Sequence, residues 1–316
     1  MSLSVFVWAY LDDAARGLLH EALASDTVYI GDPLCPKDAD IKALAEAEVA
    51  FGNVPARWLK DAGQLRWMQL ESIGFEYYQH LGSELDRLSI SNLKGMFDRP
   101  AAETAFAGLL ALGRGLPRLL RAQQNAQWIE LDVRPETWLL HGRHALVLGL
   151  GSIGRKMQKL LEAFDCKVTT FAKTNPDAQI HSIEELSEYF PKVDVVVCCL
   201  PKTPETIGLV SRNLLELLSR HAVFISIGRG AVVDETALID LLNERRFAGA
   251  VVDVTHMEPL PREHPLWRCP NIVLTQHTGG GYATELVDKA RVFLQNLERY
   301  RRGDPVRNLI DLKHGY

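Results

Sequence analysis

Short apolar runs of three to eight residues alternate with amphipathic stretches along almost the whole chain. In the first part the runs are residues 5–9, 28–30, 49–51 and 67–70, with 90–93 as a weaker fifth. Between them, residues 14–23 and 41–47 place apolar side chains at helical spacing. Strand-sized runs separated by helix-sized stretches predict βαβ units and a mostly parallel sheet. A second set follows at 145–150, 168–171, 193–200, 223–227, 250–254 and 272–274, nearly continuous in Val, Ile and Leu. Strands covered on both faces need that composition, because neither face meets water. Six such strands with helices between them predict a doubly wound sheet.

Residues 99–124 break the alternation. Leu109, Leu110, Leu112, Leu116, Leu119 and Leu120 recur at helical spacing, on a long helix expected to kink or break near Pro117. Gly108, Gly113 and Gly115 each weaken it by about 1 kcal/mol, which points to close packing and a buried helix between domains or subunits. Residues 285–302 form a further amphipathic helix.

Length adds a constraint. At 316 residues the chain exceeds the ~250–300 at which one hydrophobic core stops growing, so two domains are expected. With 47% hydrophobic and 24% charged residues it reads as globular. The net charge, 35 − 40 = −5, gives no footprint for nucleic acid or an anionic membrane. No stretch approaches the ~18 consecutive apolar residues of a membrane span, and residues 1–10 lack the basic start of a signal peptide. The cysteines (Cys35, Cys166, Cys198, Cys199, Cys269) are scattered and form no CxxC pair. Neither disulfides nor a metal site is expected, and a reduced, cytoplasmic compartment follows.

The first chemical motif is Gly149-Leu150-Gly151-Ser152-Ile153-Gly154, directly after the first strand of the second set and opening a helix. In that context Gly149 permits the tight turn, Gly151 lets backbone approach a pyrophosphate, and Gly154 lets helix and strand pack closely. The N–H groups of Ser152 and Ile153 at the helix start face the anion. A carboxylate normally ends the second strand of such a unit and binds the ribose hydroxyls of NAD. Here Ala172 stands there, followed by Lys173 and Thr174, and the next acidic residue is Asp177. A lysine and a hydroxyl suit a phosphate ester, so NADP is preferred over NAD.

Three more segments follow strands of the same set: Ser226-Ile227-Gly228-Arg229-Gly230, then Asp253-Val254-Thr255-His256-Met257-Glu258-Pro259, then Leu274-Thr275-Gln276-His277-Thr278-Gly279-Gly280. With the glycine loop they resemble the D-isomer-specific 2-hydroxyacid dehydrogenases. The spacings, 29 residues from Arg229 to Glu258 and 19 more to His277, match that family's Arg–Glu–His order. The resemblance implies a Rossmann dinucleotide domain at 96–286 and a flavodoxin-like α/β substrate domain from 1–95 and 287–316, with the active site in the cleft between them. It implies reduction of a small 2-keto acid such as glyoxylate or hydroxypyruvate to the D-2-hydroxy acid. His277 is then the general acid, Glu258 orients it and favours its charged form, and Arg229 holds the substrate carboxylate. Taken alone, each of these three residues would be an ordinary loop or strand-end side chain. His256 and His264 have no assigned role.

Other positions carry over singly. Leu200, Pro201 and Thr206 resemble the loop on the nicotinamide side, and Asp253 the aspartate that bonds the carboxamide. Ile227, Gly228, Arg229, His277 and Gly279 complete the expected cofactor contacts. Glu71-Ser72-Ile73-Gly74 resembles the turn whose N–H groups hold the substrate carboxylate, so Ser72, Ile73 and Gly74 join Arg229 and His277 as substrate-binding residues. Ala101-Ala102-Glu103 resembles the start of the helix that is the family's usual dimer surface, so a homodimer is expected. Three departures stand out: Gln276 where the family usually has proline, Ser226 for asparagine, and Glu76 for aspartate. Glu258 argues against the formate-oxidising branch, which has glutamine there. A dinucleotide-sensing, corepressor-like regulator on the same fold is the alternative, as is another hydride-transfer enzyme on the same plan.

Overall fold

All eleven apolar runs lie on strands of two parallel sheets. The computed structural model describes residues 2–85 and 87–311. Within it one unit runs to Met96 and resumes at Tyr282, and the other is Phe97–Gly281.

The first unit contains β1 (Ser4–Trp8), α1 (Asp13–Ala22), β2 (Thr27–Ile30), α2 (Asp38–Ala45), β3 (Val49–Gly52), β4 (Trp67–Gln69) and β5 (Ser89–Ser91). Its sheet has the order β2-β1-β3-β4-β5, parallel throughout. Local chemistry starts α1 where the pattern expects it, because the Asp12 carboxylate accepts from the Ala15 N–H at 2.7 Å.

The second unit opens with α3 (Asp98–Gly113), α4 (Leu116–Gln124) and α5 (Glu130–Val133). It continues with β6 (His144–Leu148), α6 (Ser152–Ala163), β7 (Lys167–Phe171), α7 (Ile183–Tyr189) and β8 (Val195–Cys198). α8 (Arg212–Glu216), β9 (Val223–Ser226), α9 (Glu235–Asn243), β10 (Gly249–Val252) and β11 (Ile272–Leu274) complete it. The strand order is β11-β10-β9-β8-β6-β7. Winding reverses between β6 and β8, and ligands of such sheets bind beyond the strand ends at that reversal. Val195, Val196, Val197 and Leu146, Val147, Leu148 are fully buried, as central parallel strands require.

The chain then returns to the first unit with α10 (Glu285–Arg302). Its stripe Ala290, Phe293 and Leu297 is buried with residues of β1, β3 and β4, and Phe293 stacks on Phe51 at 4.7 Å. Buried Asn296 donates to Gln69 at 2.8 Å. The helix therefore belongs whole to this sheet. A boundary at 286/287 would cut its first turn, and the units instead part at 281/282.

The leucine-rich segment is broken near Pro117 into two helices, as its sequence suggests. They part at Arg114 and Gly115, with Gly115 at φ +67°, and Pro117 stands in the first turn of α4, where proline is tolerated. The buried face of α3 packs on its own unit: a Cβ on Gly108 would come within 2.6 Å of Val251 on β10. Leu116, Leu119 and Leu120 remain exposed, because α4 turns that stripe away from the sheet. Among the described residues no helix is long and apolar enough to cross a membrane. All five cysteines are free, and burial pushes the Cys198 thiol up to about 12.

Candidate active site

The glycine loop leaves β6 as its spacing suggests. Gly149 has φ +97°, and its N–H donates to Phe171 O at 2.8 Å, which turns the chain sharply after the strand. A Cβ on Gly154 would lie 1.9 Å from Gly149 O, so no side chain fits between loop and helix. Gly151, by contrast, has nothing within 4 Å of where a Cβ would be. The protein's own packing does not require glycine there; open space in front of the α6 N-terminus is what a phosphate needs. The first turn of α6 carries no acidic residue to compete for its N–H groups. The loop therefore fits a dinucleotide pyrophosphate.

At the end of β7, Ala172 is buried, its N–H bonded to Ile180 O at 3.0 Å. Lys173 and Thr174 emerge beyond it, and Lys173 Nζ lies 3.0 Å from Glu205 Oε2. Arg155, the residue after the third glycine, reaches Asp177 at 2.7 Å. After β8, Leu200 is buried. Thr206 is used inside the loop that follows: its hydroxyl donates to Pro201 O at 2.6 Å and accepts from the Thr203 N–H at 2.8 Å.

The loops after β9, β10 and β11 carry the expected catalytic residues. They share one edge of the sheet, because these strands are parallel neighbours. Arg229 follows β9, and its guanidinium donates to Gly228 O at 2.9 Å. A Cβ on the next residue, Gly230, would strike the Thr255 carbonyl at 2.2 Å, so the Arg229 loop lies directly against the loop bearing Glu258. His277 Nδ1 is 2.6 Å from Glu258 Oε2, while Glu258 Oε1 accepts from the Thr255 N–H at 2.9 Å. The carboxylate accepts from Nδ1–H, which leaves Nε2 to exchange a proton. His277 is half exposed, at 51% of its side chain, so that proton has a route to ligand and solvent.

Asp253 holds this arrangement. It is buried, its Oδ1 accepts from the Thr275 hydroxyl at 2.5 Å and the Gly279 N–H at 3.0 Å, and its carbonyl accepts from the His277 N–H at 2.7 Å. A Cβ on Gly279 would sit 2.8 Å from Asp253 Oδ2, and 2.9 Å from Ile227. Gln276 and His277 both have left-handed backbone, φ +53° and +56°. Proline, locked near φ −65°, cannot take the conformation at 276, which accounts for the departure seen there.

Sequence patterns did not mark the supporting residues. Glu235, the first residue of α9, accepts from the His256 N–H at 2.9 Å and faces His264 Nε2 at 3.4 Å, so both unassigned histidines brace the Glu258 loop. An acidic residue in a helix's first turn looks like ordinary dipole compensation, and nothing local reports its second partner.

Ser72, Ile73 and Gly74 lie in the first unit, on the turn after β4. Asn53 accepts from the Glu71 N–H and the Ser72 hydroxyl, both at 3.3 Å, and Asn92 donates to Ile73 O at 2.8 Å. Among the described residues nothing accepts from the N–H groups of Ser72, Ile73 and Gly74. A turn with three such donors side by side is suited to a carboxylate. Next to it, the Glu71 side chain is largely buried near Lys289, and that burial raises its carboxyl above the ordinary range against the opposing pull of the ammonium. No group of metal-ligating side chains occurs among the described residues.

Comparison with known proteins agrees with the fold. The D-isomer specific 2-hydroxyacid dehydrogenase NAD binding domain family matches residues 106–279. A glyoxylate reductase of Pyrococcus horikoshii is 26% identical over 317 residues, 96% of this chain and 94% of that protein. A D-isomer specific 2-hydroxyacid dehydrogenase family protein of Aeromonas salmonicida superposes with TM-score 0.84 at 28% identity, over 98% of this chain and all of that one. The D-isomer specific 2-hydroxyacid dehydrogenase of Xanthobacter autotrophicus, solved with NADPH and MES, gives TM-score 0.81 at 26% identity, over the whole of both chains.

Proposed function

Because the chain belongs to the D-isomer specific 2-hydroxyacid dehydrogenase family and is an NAD(P)-dependent enzyme of that kind, we propose that it reduces a small 2-keto acid of the glyoxylate or hydroxypyruvate type. The 2.6 Å contact between Glu258 and His277 carries the proposal, because it readies one ring nitrogen for proton transfer. The chemistry that bound nicotinamide dinucleotide supplies is the hydride received by the carbonyl carbon. His277 Nε2 gives its proton to the carbonyl oxygen, forming the D-2-hydroxy acid, and regains one from solvent. Glu258 keeps the imidazole oriented throughout. Arg229 contributes a planar pair of donors for the substrate carboxylate, and the N–H groups of Ser72, Ile73 and Gly74 are donors of the same kind. The N–H groups of Gly151, Ser152 and Ile153 would hold the pyrophosphate in the loop that Gly149 and Gly154 shape, and the Asp253 carboxylate would bond the carboxamide.

NADP as the preferred cofactor belongs to the same reading. Its support is the absence of a carboxylate at Ala172 and the presence of Lys173 and Thr174 beyond it. A homodimer is also part of it. The second unit exposes Leu120, Trp128, Leu131 and Leu139, and a groove of about 860 Å³ lined by Leu119, Trp128, Ile129 and Val133 lies among them. A second copy of the chain would cover such a surface. A cytoplasmic location is supported by the five free thiols.

The test is a panel of glyoxylate, hydroxypyruvate, pyruvate and phenylpyruvate, each with NADPH and with NADH. Loss of nicotinamide absorbance with glyoxylate or hydroxypyruvate is expected. No loss with any keto acid would remove the reductase reading.

A further inference from the structure

We propose that Glu205 tempers the preference for NADPH that Lys173 sets, opposing NADPH and supporting NADH. The inference rests on the reading that the cofactor's adenosine ribose lies at the end of β7.

The end of β7 is balanced in charge. Lys173 is paired with Glu205 at 3.0 Å, and Arg155 with Asp177 at 2.7 Å. Arg155 also reaches Asn175 Oδ1 at 3.4 Å, and Asn175 in turn donates to Leu150 O at 3.0 Å, beside the glycine loop. The Lys173–Glu205 pair joins two loops, one after β7 and one after β8. Glu205 is held at its place by its neighbours: the Thr206 hydroxyl closes the turn onto Pro201 and Thr203.

The consequence follows from charge and reach. Any ligand group touching Lys173 Nζ is also within reach of Glu205 Oε2. A ribose bearing a 2′-phosphate brings an anion, which must take the ammonium from Glu205 and then sits beside a like charge. A ribose with two free hydroxyls brings donors. For these Glu205 is an acceptor, and it supplies from the next loop the carboxylate missing at Ala172. One side chain thus acts with opposite sign on the two cofactors. Both members of the pair are well exposed, 63% and 66% of their side chains, so the exchange is inexpensive and the fold does not depend on it.

The experiment measures dissociation constants for NADPH and NADH, by quenching of tryptophan fluorescence, on the full chain and on Glu205→Gln and Lys173→Met. Glu205→Gln is expected to tighten NADPH about two- to fivefold and to weaken NADH by a similar factor. Lys173→Met is expected to weaken NADPH selectively. If Lys173→Met stays selective while Glu205→Gln leaves both constants unchanged or moves them together, Glu205 has no such role and the phosphate reading survives. If Lys173→Met affects both cofactors equally, the placement of the ribose at β7 is wrong and the proposal falls with it.

Discussion

Glu258 Oε2 lies 2.6 Å from His277 Nδ1, although the two residues are 19 positions apart on loops after different strands. The carboxylate is itself fixed by the Thr255 N–H, and the histidine by its own N–H on Asp253 O. The imidazole is thereby anchored at ring and backbone, with Nε2 left for chemistry.

His277→Ala removes the proton donor without touching the glycine loop. We expect kcat to fall by about 10²–10⁴, with NADPH binding largely retained through the glycine loop. Glu258→Gln keeps an acceptor at Nδ1 but removes the charge, and we expect kcat to fall on the order of 10² with KM nearly constant. Steady-state kinetics alongside cofactor titration check both; retained turnover in His277→Ala would show that another group protonates the carbonyl.

Gln276→Pro forces φ from +53° to about −65° at the residue before the histidine. The Thr275–Thr278 turn must then rearrange, and kcat should fall about tenfold or more. Gln276→Gly, which accepts the left-handed conformation freely, should stay within about threefold of the parent. Equal kinetics for the proline and glycine variants would mean that the turn does not position His277.

Glu71 sits next to the Ser72–Gly74 turn with its carboxyl raised above the ordinary 4.5, by burial first and by Glu285, against the opposing pull of Lys289. For an acid raised in the folded state the sign is clear. The folded form binds more protons between the two pKa values, so stability falls as pH rises through that window. Glu71→Gln removes this loss, while Lys289 keeps Glu285 at 2.7 Å. The variant should melt higher than the parent at pH 8, and the gap should close near pH 4. A variant that melts lower than the parent at pH 8, with the gap closing near pH 4, would show instead that the carboxylate stabilises the fold.

Trp128, 90% exposed, and Leu131 stand on the surface assigned to a second copy. The double variant Trp128→Glu, Leu131→Glu places charges there and should sediment as one chain where the parent sediments as two. A parent that sediments as one chain would end the dimer proposal.

The alternation of apolar runs determined both sheets, because burial on two faces leaves a continuous imprint on the central strands, while the edge strands β2 and β11 carry a weaker one. The Gly149–Gly154 loop was equally legible, since its requirements lie within six consecutive residues. The leucine stripe was legible only in part for a related reason: spacing marks a helix face but does not say what lies opposite it, so Leu116 and Leu120 read as covered by a domain or a second subunit and are exposed in the single chain. What only tertiary structure decided are relations between loops. Thr275 and Gly279 closing on Asp253, Glu235 bracing the Glu258 loop, and Glu205 meeting Lys173 all join segments distant in the chain. Local propensity responds to neighbours in sequence. Such pairings follow from strand order, which brings these loops to one edge of the sheet and leaves each charge to find its partner there.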